Sequence, residues 1–86
     1  MFINKTADNQ NNICGKQIAF HRKALGHSQR QLADLLQLQG LDIDKNAIQR
    51  IEAGKRFVTD IELVYFAKVL KLSYEQLLEA NNKIES

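Results

Sequence analysis

Four side chains between residues 45 and 50 carry the most specific chemistry in this chain: Lys45, Asn46, Gln49 and Arg50. All four donate hydrogen bonds. Lysine and arginine match the O6/N7 edge of guanine, and asparagine and glutamine match the N6/N7 edge of adenine. Each such pairing is worth roughly 1–3 kcal/mol against a wrong base. No acid interrupts the group, and the residues between and after it are Ala47, Ile48 and Ile51. At helical spacing the polar and apolar sets fall on opposite faces. A helix built this way buries one side and offers the other to base edges, so sequence-specific binding of double-stranded DNA is the leading expectation. A merely solvated face is the plain alternative, and four donor-rich residues without an acid argue against it. Lys45 and Asn46 stand nearest the helix N-terminus, the end that reaches deepest into a groove. Arg50 can reach a base or a phosphate, and Ala47 can touch a thymine methyl or simply pack.

A reading helix needs a scaffold, and the flanking sequence predicts one. Residues 1–12 are Asn-rich and aperiodic, which predicts a disordered arm. Residues 13–80 form the domain and 81–86 a C-terminal tail. A first helix is expected over about Ile13 to Ala24, with Ile18, Ala19 and Arg22 on or near its inward face, closed by Leu25-Gly26. Ser28 with Gln31 forms a capping box for a second helix carrying Leu32, Ala33, Leu35 and Leu36. Asp44 is a good N-cap for the third helix, which ends before Gly54. Thr59 with Glu62 opens a fourth, whose Leu63, Phe66, Ala67 and Leu70 share one face. Ser73 with Gln76 opens a fifth, presenting Leu77 and Leu78. There is no proline, and no run alternates long enough for a strand. The fold class is all-α, a compact five-helix domain.

Composition narrows the function classes. Net charge is only +2, but its distribution is uneven. Residues 16–56 hold eight Lys/Arg against four Asp/Glu, whereas residues 57–86 hold three against five. Positive charge therefore gathers in the half that contains the reading helix, as a phosphate-facing surface requires. No apolar run approaches membrane-spanning length and no leader is evident, so a cytoplasmic protein is expected. Eighty-six residues leave no room for a separate sensor domain. The single cysteine, Cys14, cannot form an internal disulfide; it stands at a helix start, as a lone small hydrophobe or as a thiol of lowered pKa. His21 and His27 lack the spacing and third ligand of a metal site. No nucleophile–base pair, carboxylate pair or phosphate loop is present, so no enzyme, cofactor or small-molecule ligand is expected.

From Gly15 to Leu78 the chain resembles the Cro/lambda-repressor-like (XRE-type) helix-turn-helix proteins. The matching pieces are Ile18-x-x-x-Arg22-x-x-x-Gly26-x-Ser28-Gln29-x-x-Leu32-Ala33, then Ile48-x-x-Ile51-Glu52-x-Gly54-Lys55-Arg56. A trailing Ala67-x-x-Leu70-x-Leu72-Ser73-x-x-x-Leu77-Leu78 completes them. Each half alone is a weak signal; their order and combination are specific. One departure stands out. Ala33 and Ile48 are fifteen positions apart, where the family pattern has about ten. The extra Leu38–Asp42 region must lengthen the second helix by about a turn or widen the connection. Asp42 is then expected to point away from DNA, because acids beside phosphates repel.

The resemblance implies a lambda-repressor-like DNA-binding domain in which the third helix reads the major groove. By position in the motif, Gln29 donates to a phosphate with help from its helix N-terminus. Lys55 and Arg56, just past the third helix, look like phosphate clamps; Lys16, Lys23 and Arg30 are weaker candidates for that role. Arg22 and Glu52 are implied to form a structural ion pair. A homodimer is expected, with Phe57, Val58, Tyr65, Tyr74, Leu78 and Ile84 available either to its interface or to the core. The function these readings imply is a transcriptional regulator, most simply a repressor. A protein-interaction module on the same scaffold is the alternative, favoured by the long connection and its two acids, Asp42 and Asp44.

Overall fold

Helices begin in this chain where a short polar side chain can take up a backbone N–H that the first turn leaves unpaired. The computed structural model describes residues 10–78. They form α1 (Gly15–Ala24), α2 (Gln29–Gln39), α3 (Lys45–Glu52), α4 (Asp60–Leu70) and α5 (Tyr74–Leu78). Among the described residues there is no strand. Ser28 and Gln31 close a reciprocal capping box on α2, and Thr59 and Glu62 close one on α4. Ser73 and Gln76 exchange the same two bonds ahead of α5. The Asp44 carboxylate accepts the Ala47 N–H at 2.8 Å and opens α3. The four longer helices end alike: an N–H bonds to the carbonyl five residues back, from His27, Leu41, Lys55 and Leu72.

The fifteen-residue interval between Ala33 and Ile48 is absorbed in both of the expected ways. α2 continues to Gln39, and Gly40 then turns the chain at φ +107°, a left-handed conformation that costs glycine nothing. Leu41 to Ile43 return the chain towards α3. Gln37 Nε2 donates to the Ile43 carbonyl at 2.8 Å and ties that return to α2. Ile43 is buried and Leu41 packs against the core, which anchors the return, while Leu38, Gln39, Gly40 and Asp42 of the additional stretch are exposed.

That core takes Ile18 from α1, Leu32, Ala33 and Leu36 from α2, and Ala47, Ile48 and Ile51 from α3. Phe66, Ala67 and Leu70 come from α4 and Leu77 from α5. Each large apolar side chain buried here contributes about 1.5–3 kcal/mol. α3 lies between α1 and α2, while α4 packs across α1 and α2 and is covered in turn by α5. Leu63 is only half-buried and Leu78 faces outward. The N-terminus of Ile13–Ala24, as expected from sequence, moves to Gly15. Gly15 sits so close to α3 that an added Cβ would collide with the Ile51 carbonyl oxygen and lie 2.8 Å from Asn12 Oδ1. The first turn of α1 is thereby docked backbone to backbone on the last turn of α3. Cys14, beside it, is buried, and burial pushes its thiol up to about 11, so it is a core residue and not a reactive thiol. Among the described residues no helix is long and apolar enough to cross a membrane, and no cluster of ligating side chains could hold a metal.

Candidate nucleic-acid interface

The two faces of α3 separate cleanly. Ile48 and Ile51 are fully buried and Ala47 is nearly so, whereas Lys45, Asn46, Gln49 and Arg50 are all exposed. Among the described residues, none of these four side chains is bonded to another part of the protein. Their donors are therefore available to a partner. α3 is only eight residues long, too short to be stable by itself in water, so its presentation depends on what grips its back and its ends.

At the C-terminal end that grip is ionic. Arg22 Nε lies 2.7 Å from Glu52 Oε2 and its Nη2 3.0 Å from Glu52 Oε1. The third side of the guanidinium donates to the His27 carbonyl at 2.7 Å. Both side chains are less than a tenth exposed. A bidentate fork of this kind fixes angle as well as distance. Glu52 Oε1 also accepts from Gln29 Nε2 at 2.9 Å. One carboxylate thus joins α1, the N-terminus of α2 and the end of the reading helix. Gln29 stands where the resemblance places a phosphate donor, but one of its amide hydrogens is committed to Glu52.

Lys55 and Arg56 follow α3 and differ in their surroundings. Lys55 is exposed. Arg56, expected beside it as a second phosphate clamp, directs both terminal nitrogens at Glu62, at 3.0 and 2.9 Å, and donates to the Phe57 carbonyl at 3.0 Å. The nearest anion to its guanidinium is a carboxylate already fixed as the third residue of α4. Residues 10–12 complete the surroundings. The Asn11 N–H and Nδ2 donate to the carbonyls of Gly54 and Lys55 at 2.8 and 3.0 Å. Asn12 Nδ2 donates to the carbonyls of Ile51 and Arg56 at 3.1 and 2.7 Å, while its Oδ1 accepts from Gly15 N at 2.8 Å. Both asparagines fall in the segment read from sequence as an arm. The available signal was Asn12 three residues before Gly15, a capping type at capping distance. Ile84 lies outside the described residues.

The Arg56–Glu62 pair makes a pH prediction. The Arg56 hydrogen bonds hold the Glu62 carboxyl below its ordinary value, and a bond from the Thr59 backbone N–H acts in the same direction against the effect of burial. A depressed carboxyl stabilises the fold fully above the unfolded pKa near 4.3 and loses that contribution as pH falls through the folded value. Glu62→Gln keeps the capping geometry and removes the charge. At neutral pH it is expected to cost about 1 kcal/mol, since the pair is partly exposed. Thermal melts at pH 7 and below pH 4 check this: the gap between the two proteins narrows at acid pH.

Elsewhere on the surface, Lys16, Lys23 and Arg30 are exposed, as is Asp42. Of the apolar residues offered to an interface or the core, Val58 and Tyr65 pack on the core, while Phe57, Tyr74 and Leu78 are exposed. Ile61 and Val64, one turn apart on α4, are 65% and 48% exposed. They add an outward apolar strip that the sequence reading did not single out.

Comparison with known proteins agrees with this architecture. The helix-turn-helix family HTH_3 matches residues 18–77. No curated protein matches the chain. Among solved structures, the chain is similar to the restriction-modification controller protein C.AhdI from Aeromonas hydrophila. The TM-score is 0.65 and the identity 26%, over 74% of this chain and 86% of that one.

Proposed function

We propose, from the premise that this chain belongs to the HTH_3 helix-turn-helix family and is a DNA-binding transcription regulator, that it reads a specific operator as a homodimer and represses transcription there. The set Lys45, Asn46, Gln49 and Arg50, exposed and unbonded among the described residues, opposite a buried face of the same helix, carries this reading. α3 enters the major groove with Lys45 and Asn46 leading, and these four side chains select the bases. Lys55 grips the backbone beyond the end of α3. At the N-terminus of α2, the second amide hydrogen of Gln29 and the unpaired first-turn N–H groups meet a phosphate on the other side. Arg56 contributes by fixing the turn that carries Lys55.

Dimerisation is supported by the exposed apolar residues Phe57, Ile61 and Val64, which stand outside α3. A homodimer of this kind recognises two half-sites related by a two-fold axis. Occupying a promoter in that way excludes other proteins without needing a further surface, hence repression. The similarity to a restriction-modification controller supports a regulatory role of the same general kind. Cytoplasmic residence follows from the same reading.

Selection from randomised duplex DNA at near-physiological salt, followed by sequencing, tests this. The expected product is a two-fold-symmetric motif with half-site centres about one helical turn apart. An asymmetric motif would refute the homodimer. Recovery of no motif would leave the sequence-reading role of α3 without support and favour a protein-interaction module.

A further inference from the structure

Residues 10–12 close around the turn that joins α3 to α4. Four carbonyls of that region, from Ile51, Gly54, Lys55 and Arg56, are taken up by Asn11 and Asn12. The Gln10 side chain lies directly over Gly54, so closely that a Cβ there would collide with it. The main chain of Lys55 is held on both sides: its N–H donates to the Arg50 carbonyl at 2.8 Å and its carbonyl accepts from Asn11 Nδ2 at 3.0 Å. Its ammonium group remains at the surface. Asn11 Oδ1 is buried and among the described residues has no hydrogen-bond partner, a state that is unfavourable for an amide oxygen. Asn11 therefore serves this position through its donor, at the expense of its acceptor.

We propose that Asn11 and Asn12 are positioning residues for the phosphate grip: by holding the carbonyls of the α3 exit turn they fix where Lys55 meets the DNA backbone. This rests on the phosphate role given to Lys55 above. A cation carried on a pre-ordered turn gives up less conformational freedom on binding than one on a loose turn. Neither asparagine carries charge, so replacing either with alanine removes no cation from the interface. Any change in counterion release then comes from displacement of Lys55.

The test uses the whole chain and a 24-base-pair mixed-sequence duplex, titrated over a range of salt concentrations. Lys55→Ala is expected to weaken binding and to reduce the slope of log K against log salt by about one. Asn11→Ala gives up one exposed hydrogen bond and an unsatisfied oxygen together, so its melting temperature stays near that of the parent. Its affinity nevertheless falls about threefold and its slope shifts in the same direction as that of Lys55→Ala. In the Asn11→Ala/Lys55→Ala protein the asparagine effect disappears. Asn12→Ala, which removes three hydrogen bonds, is expected to show the larger loss; should it not fold, Asn11→Ala decides. Parental affinity and slope in Asn11→Ala, or a loss that adds in full to that of Lys55→Ala, would overturn the proposal. If Lys55→Ala alone changes nothing, the phosphate role of Lys55 fails first and the positioning role with it.

Discussion

Asn46→Ala/Arg50→Ala is expected to bind the selected operator duplex roughly 30- to 20,000-fold more weakly than the parent protein. Each residue is placed to make one base-edge pairing worth about 1–3 kcal/mol, and every 1.4 kcal/mol is a factor of ten. Stability should hardly change. Both side chains are exposed and among the described residues unbonded, and the buried residues Ala47, Ile48 and Ile51 are untouched. Alanine is moreover a better helix former than asparagine. Fluorescence anisotropy on the operator and on a scrambled duplex separates reading from gripping. A loss confined to the operator identifies base readers. An equal loss on both duplexes would assign Arg50 to the backbone and leave Asn46 without a reading role.

The second large effect concerns the fold. Glu52→Ala is expected to destabilise the domain by about 3–5 kcal/mol, because it strands the nearly buried Arg22 guanidinium with only the His27 carbonyl. In a domain whose whole stability is of the order of 5–15 kcal/mol, that is a large fraction. The joint replacement Arg22→Met/Glu52→Leu should cost much less, since no buried charge is left unpaired. Urea denaturation of Arg22→Met, Glu52→Leu and the double variant, with Glu52→Ala beside them, forms the cycle that decides this. If Glu52→Ala costs no more than the double variant, the ion pair is not what holds α3 to α1. The link also bears on function. Glu52 receives Gln29 as well as Arg22, so the double variant releases the N-terminus of α2 and should bind DNA less well than its stability alone implies.

Much of the architecture was legible before any coordinates. The starts of α2, α3, α4 and α5 follow from Ser28, Asp44, Thr59 and Ser73, because capping bonds span only three residues and do not depend on where other helices lie. The polarity of α3 follows from its period in the same way. The Arg22–Glu52 contact was accessible only through the family resemblance, since nothing local links residues thirty positions apart. The start of α1, expected at about Ile13, lies at Gly15; its N-cap, Cys14, makes no side-chain capping bond that the sequence could have signalled.

What the sequence by itself determined, then, is the set of five helices, the starts of α2 to α5, and a reading helix with one apolar and one donor-rich face. All of these rest on hydrogen bonds and periodicities confined to a few neighbouring residues. The tertiary structure alone decided how the remaining polar groups are shared out. Arg56 pairs with Glu62, Gln29 commits an amide hydrogen to Glu52, and Asn11 and Asn12 close on a turn some forty residues away. Each of those donors has several chemically equivalent acceptors along the chain. For Gln29, Asn11 and Asn12, which of them comes within about 3 Å is set by how segments distant in the chain pack against one another, which no local pattern encodes.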